Sequence, residues 1–267
     1  CADRGNFMKI LITNDDGINA GGLTSLRTIA TELVEDPDDL YVVAPATEKS
    51  GVGHCISLAS PVMITKLGHQ TFSVEGNPAD CVIAGVKHVL KESPPDLILS
   101  GVNRGNNSAE NALYSGTLGA AMEGALQGIP SIALSQYLGP LNINSDNPFE
   151  AAETYGVEVI RKILSADISP DGPYRLFYNV NFPPCPASEV RGIKLTRQGY
   201  RSDGQFGIIP AISPSNREFL FIAGSNQHIQ APEGSDAAAN LAGYISVTPM
   251  TADLTAYEVL DALRAIE

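Results

Sequence analysis

Basic residues are scarce in this chain: 17 Lys and Arg stand against 30 Asp and Glu, for a formal net charge of −13 and an isoelectric point near 4.7. A nucleic-acid polymer needs a cationic footprint to release its counterions, so such a partner is disfavoured. A small phosphate ester, its charge met by a bound metal, stays open. No apolar run approaches the roughly 18 residues of a membrane-spanning helix, so no membrane association is expected and the chain reads as soluble. The four cysteines, Cys1, Cys55, Cys81 and Cys185, form no CxxC and no Cys/His cluster, which argues against structural zinc. Free thiols in a reducing cytosol are the simpler reading, so a cytoplasmic location is expected. Three of the histidines, His69, His88 and His228, carry no pattern, and there is no internal repeat or low-complexity tract.

Apolar residues, at 43% of 267, suffice for one large core. Residues 1–7, Cys-Ala-Asp-Arg-Gly-Asn-Phe, read as a polar leader ahead of Met8, outside the folded unit. A single domain is expected over 8–267, with a core over 8–165 and a C-terminal part over 166–267. The first 135 residues alternate strand and helix patterns, which predicts an α/β fold with a parallel sheet covered on both faces. Strands are expected at Ile10–Thr13, Leu40–Ala44, Leu97–Ser100 and Ser131–Ser135, with a small hairpin at 62–66 and 71–75 around Gly68. Leu23, Leu26, Ala30 and Leu33 mark one face of a helix. Asn77-Pro78 and Asn147-Pro148 combine a capping residue with proline, opening helices to about Lys91 and Leu164; another helix spans about Thr117–Gln127. Beyond that, strands recur at 176–181, 191–196, 218–223 and 244–248. The 198–240 span reads either as an arm leaving the core, with a hairpin at Glu218–Ile222, or as a long loop. Met250 to Glu267 reads as a short helix.

The richest stretch is Lys9-Ile-Leu-Ile-Thr-Asn-Asp-Asp-Gly17, where a strand runs straight into two adjacent carboxylates and a glycine. Ligands of open α/β sheets bind beyond the carboxyl ends of the strands. Neighbouring carboxylates there raise each other's pKa unless a cation neutralises them, and oxygen ligands without His or Cys suit Mg²⁺, Mn²⁺ or Ca²⁺. Two more polar segments follow core strands: Ala44-Pro-Ala-Thr-Glu-Lys-Ser-Gly51 and Ser100-Gly-Val-Asn-Arg-Gly-Asn-Asn107. Parallel strands end at one sheet edge, so the three must gather there. A metal can then take carboxylates from Asp15 and Asp16, a hydroxyl from the second segment and an amide oxygen from Asn103. Tyr114-Ser-Gly-Thr117 opens the next helix and offers hydroxyls and N–H groups to phosphate oxygens. Taken singly, these segments are also ordinary turns and caps; their convergence carries the reading. His54 stays open between proton donor, phosphate contact and ordinary loop histidine. Lys49 and Arg104 stay open between steering an anion and plain solvated charge.

In order, Ile10-Leu-Ile-Thr-Asn-Asp-Asp-Gly-Ile18, Val43-Ala-Pro, Lys49-Ser-Gly51, Gly76-Asn-Pro-Ala-Asp-Cys81, Ser100-Gly-Val-Asn103 with Asn107, Tyr114-Ser-Gly-Thr117, Gly243-Tyr-Ile-Ser-Val-Thr-Pro249 and Asp253-Leu-Thr255 resemble the SurE (survival protein E) phosphatases. The resemblance runs nearly the whole length from Met8. It implies a Rossmann-like, mostly parallel sheet flanked by helices, with an extended C-terminal β-rich arm used in forming homodimers or homotetramers. It also implies a phosphoric monoester hydrolase acting on nucleoside 5′- or 3′-monophosphates, and in some members on polyphosphate. One divalent metal ion per subunit is implied, Mg²⁺ or Mn²⁺, with Ca²⁺ able to take the same oxygens. Carried over by position, the ligands are Asp15, Asp16, Ser50 and Asn103, Ser50 being chosen over Thr47 on the resemblance alone. Asn14, Gly51, Asn107, Ser115, Gly116 and Thr117 are then expected around the substrate phosphate. Asp15 and Asp16 are the expected catalytic pair, with a carboxylate orienting water favoured over direct attack by Asp15. The arm departs from the family pattern: after Thr196-Arg-Gln-Gly199 an Asp-Pro-Arg-Gly-like turn and a Trp-containing strand are expected, whereas this chain has Ser213-Pro-Ser-Asn-Arg-Glu-Phe-Leu-Phe-Ile222 and no Trp. Base preference and mode of assembly are therefore open. Readings from other classes are a metal-dependent nucleotide-sugar glycosyltransferase and a non-catalytic nucleotide sensor.

Overall fold

The structure, a computed structural model, describes residues 8–168, 173–202, 206–224 and 226–266; the leader over 1–7 lies outside them. The first strand, β1 (Ile10–Thr13), is buried along its whole length. Its residues point alternately to two apolar layers, which is why the run is continuously apolar rather than alternating. Ile10 and Ile12 pack with Leu26 and Ile29 of α1 (Gly21–Thr31) and Val159 and Ile160 of α4 (Glu150–Ser165). Leu11 faces the other way, onto Cys81 and Val82 of α2 (Pro78–Ala84) and Ala120 of α3 (Gly116–Leu126). Helices thus cover both faces, as a parallel sheet requires.

The sheet has nine strands. From one edge these are β3 (Ile64–Gly68), β4 (Thr71–Val74), β2 (Leu40–Pro45), β1, β5 (Leu97–Arg104), β6 (Ser131–Gln136), β7 (Phe177–Phe182), β11 (Ile245–Met250) and β8 (Ile193–Leu195). Strands β4 through β7 in that spatial order run parallel. β3 pairs antiparallel with β4, and β11 antiparallel with β7. The α/β expectation and the hairpin around Gly68 are met. A separate antiparallel pair, β9 (Gly207–Ile212) and β10 (Glu218–Ala223), turns through Ser213–Arg217, where the Ser213 N–H donates to Arg217 O at 2.8 Å. The hairpin expected at Glu218–Ile222 is thus present with β9 as its second strand, although β9 itself has no signal in the sequence.

Two elements differ from expectation. The helix expected to reach Lys91 is α-helical only to Ala84 and widens into a π-helical turn over Gly85–Val89. The terminal helix is replaced: Met250 closes β11, and beyond it lie two 3₁₀ turns at Tyr257–Val259 and Asp261–Ile266, with no buried residue in either. An isolated helix this short has little to hold it without an apolar face packed on something. Short α5 (Asp236–Leu241), capped by Ser235, has no counterpart in the sequence reading. Among the described residues, no helix is long and apolar enough to cross a membrane.

Candidate active site

Successive strands leave β1 toward β2 and β4 on one side, while β5, β6 and β7 build outward on the other. Neighbouring β1 and β5 therefore flank the switch point, where the carboxyl ends of two strands open a crevice. The turn after β1 is locked from within: Asn14 Nδ2 donates to Gly17 O at 2.9 Å, and Gly17 takes φ +99°, a conformation that favours glycine. This turn holds Asp15 inward and Asp16 toward β5. Thr117 Oγ1 donates to Asp15 Oδ1 at 2.7 Å, and the Arg104 N–H donates to Asp16 Oδ2 at 3.1 Å. The Lys49 N–H donates to Asp15 O at 2.7 Å, bringing the segment after β2 alongside.

The crevice is a pocket of about 760 Å³. Of the expected site residues, Asp15, Asp16, Ser50, Gly51, Asn103, Asn107 and Ser115 line it. Asn14, Gly116 and Thr117 are not among the lining residues. They stand behind Asp15, where a Cβ on Gly116 would lie 2.9 Å from Asp15 Cβ. Ser115 caps α3, its Oγ accepting from the Leu118 N–H at 3.1 Å, so the pocket meets the positive end of that helix. The bulge that interrupts the β5–β6 register between Ser100 and Asn103 contains a cis Gly101–Val102 peptide.

Burial, reinforced by the Asp16 charge and opposed by the Thr117 hydrogen bond, pushes the Asp15 carboxyl up from 3.8 to about 6. Asp16 is raised too, by burial and by Glu48, against the Arg104 N–H bond. Ionised carboxylates crowded at this cost are what a divalent cation relieves. Asn103 commits its Nδ2 to Gly105 O at 2.9 Å, which keeps its amide oxygen for a cation; Ser50 Oγ donates to Glu48 Oε1 at 2.8 Å. Among the described residues no group of three or more His, Cys, Asp or Glu is disposed to hold a metal. Two carboxylates with neutral hydroxyl and amide oxygens are the donors that remain, and such hard donors fit Mg²⁺ or Mn²⁺.

His54 does not line the pocket. Its Nε2 lies 2.7 Å from Glu123 Oε2 on α3, and Gln127 Nε2 donates to Glu123 Oε1 at 2.6 Å. Burial pushes the Glu123 carboxyl up, but these two partners outweigh it and leave it below its ordinary value. Arg104 lines the pocket; Lys49 does not. Several lining residues have no signal in the sequence. Glu48, Asn106 and Tyr114 sit inside segments already singled out, whereas Phe206, its ring edge to face with Tyr114 at 5.0 Å, and Gln227, which accepts from Asn111 Nδ2 at 2.7 Å, lie outside them. Asn179 and Asn181 of β7, both fully buried, bind the backbone of Asn107 on either side, at 2.8 and 2.7 Å.

The family model described as Survival protein SurE matches residues 10–205. The chain is 58% identical over 258 residues to the 5′-nucleotidase SurE of Ruegeria pomeroyi, covering 97% of this chain and 99% of that one. It is 59% identical over 263 residues to the 5′-nucleotidase SurE of Jannaschia sp., covering 97% and 100%. The crystal structure of the SurE protein from Aquifex aeolicus superposes with a TM-score of 0.80 at 38% identity, over 96% of this chain and 98% of that one. By sequence and by fold, the chain belongs to the SurE family.

Proposed function

We propose that this protein is a divalent-metal-dependent phosphatase that hydrolyses nucleoside monophosphates to nucleoside and phosphate. The observation that carries the reading is the Asp15–Asp16 pair, set with Ser50 and Asn103 around one pocket beside the capped start of α3. The family membership and the name 5′-nucleotidase SurE borne by the relatives support it. A cation held by Asp15, Asp16, Ser50 and Asn103 would neutralise charge on the phosphoryl group. The protein's own groups do the rest. The Ser115 hydroxyl, at the positive end of α3, receives a phosphate oxygen, and Arg104 adds positive charge at the mouth. Asp15, fixed by Thr117, orients the attacking water.

The reading extends to assembly and location. The β9–β10 hairpin exposes Ile208, Ile209, Phe219, Leu220, Phe221 and Ile222, each more than half accessible. An apolar surface of this kind marks an interface, and a homodimer or homotetramer built through the hairpin would cover it. Free Cys55, Cys81 and Cys185 accord with the cytoplasm.

Phosphate release from a panel of nucleoside 5′- and 3′-monophosphates, p-nitrophenyl phosphate and polyphosphate, with Mg²⁺, Mn²⁺ or EDTA, tests the proposal. Release that EDTA abolishes and a nucleotide supports best is expected. Binding of nucleotide by folded protein without release would overturn the enzyme reading in favour of a sensor.

A further inference from the structure

Asn106 lines the pocket next to Asn107, yet its side chain is held quite differently. Its Oδ1 accepts from Arg201 Nη2 at 3.1 Å, from Ser108 Oγ at 2.7 Å and from the Ser108 N–H at 3.3 Å. A guanidinium and a backbone N–H are donors only, so the amide cannot be turned around: its oxygen faces inward and its NH₂ is left for the pocket side. There Nδ2 reaches Gln227 Oε1 at a long 3.5 Å. Asn107, by contrast, commits its NH₂ to Ser135 Oγ at 2.9 Å and Thr117 Oγ1 at 3.4 Å.

Arg201 is built to do this. It is 1% exposed, the largest fully buried side chain among the described residues, and lies 95 positions along the chain from Asn106. Nη1 donates to Ser108 O at 3.1 Å and Glu110 Oε1 at 3.3 Å, while Nη2 also donates to Ser108 Oγ at 2.8 Å. Its backbone N–H donates to Glu110 Oε2 at 3.1 Å. Nε has no hydrogen-bond partner among the described residues, but Nη1 and Nη2 are both spent on the 106–110 segment, and that fork holds the loop in one conformation.

We propose that Asn106 is a substrate-binding residue whose amide NH₂ donates to an acceptor oxygen of the nucleotide, and that Arg201 is the positioning residue that turns it. The proposal deepens the phosphatase reading and rests on it for the identity of the ligand. An N–H donor suits an anionic substrate in a pocket otherwise crowded with Asp15, Asp16 and Glu48.

The test compares wild type with Asn106→Asp and Arg201→Lys, reading AMP binding by calorimetry and hydrolysis kinetics in Mn²⁺. Asn106→Asp keeps an oxygen for Arg201 and Ser108 and replaces only the NH₂ with a carboxylate oxygen. Its Kd and KM for AMP are expected to rise about ten-fold or more, with kcat changed far less. Arg201→Lys, which lacks the planar fork, is expected to raise KM in the same direction; if circular dichroism shows it unfolded, Asn106→Asp alone decides. A parallel rise in the inhibition constant for inorganic phosphate assigns the acceptor to the phosphate, and an unchanged one assigns it to the ribose. Unchanged Kd and KM in Asn106→Asp would overturn the proposal. Wild type that binds AMP without hydrolysing it would overturn the phosphatase reading, while the binding comparison still decides the role of Asn106. Wild type that does neither overturns both.

Discussion

Thr117 Oγ1 donates a 2.7 Å hydrogen bond to Asp15 Oδ1, tying the first turn of α3 to the end of β1 across 102 positions of sequence. Both side chains are shut off from solvent, at 0% and 4% exposure. A hydroxyl on a buried carboxylate is among the stronger single contacts a protein makes, roughly 1.5–3 kcal/mol. Thr117→Val, nearly isosteric, is therefore expected to lower kcat about ten-fold or more, with the fold retained. Steady-state kinetics beside a thermal melt checks this.

Asp15 also links the site to pH. Burial, with the Asp16 charge adding to it, raises its pKa from 3.8 to about 6. The ionised form is disfavoured in the folded state, so this contribution to stability is full below 3.8 and is lost as pH rises through about 6. In EDTA, Asp15→Asn is expected to be more stable than wild type by roughly 3 kcal/mol at about pH 7.5, the difference vanishing near about pH 4. Urea unfolding at the two pH values measures it, and activity is expected to fall in the same variant.

The sheet was legible because its strands are short, buried on both faces and stopped by polar turns, as Ile10–Thr13 shows. The carboxylate pair and Asn103 were legible because parallel strands deliver their ends to one edge. The features that escaped lie elsewhere in the chain. Strand β9 carries Pro210, which argues against a strand in any sheet interior but is tolerated in a two-stranded hairpin. Gln227 reaches the pocket, and Arg201 reaches Asn106 behind it, from loops, and no local pattern reports which loop folds back on which. A fully buried arginine has no signature in composition. The C-terminal turns leave Leu260, Leu263 and Ile266 at least half exposed, so no buried apolar face holds the helix expected there.

Helix α1 approaches β5 closely enough to exclude a methyl group. A Cβ on Gly22 would lie 1.9 Å from Val102 O, whereas one on Gly21 would meet only Phe149 Cε2 at 3.7 Å. Gly22→Ala is expected to cost at least about 1–3 kcal/mol and to reduce activity by displacing the strand that bears Asn103. Gly21→Ala is expected to be neutral or to stabilise by about 0.5–1 kcal/mol through helix propensity. Paired denaturant melts distinguish the two.

The hairpin makes assembly testable apart from folding. Phe219 and Phe221 are 53% and 60% exposed on a two-stranded sheet. Phe219→Asp with Phe221→Asp is expected to shift the protein to a smaller species in light scattering, with core stability changed by no more than about 0.5 kcal/mol.

The most direct test of the account is phosphate release from a nucleoside 5′-monophosphate by wild type and Asp16→Asn, each with Mn²⁺ and with EDTA, alongside calorimetric titration of Mn²⁺. The account predicts turnover in wild type only with the metal, and loss of both turnover and metal binding in Asp16→Asn. Undiminished turnover in Asp16→Asn, or in wild type stripped of metal, would contradict it.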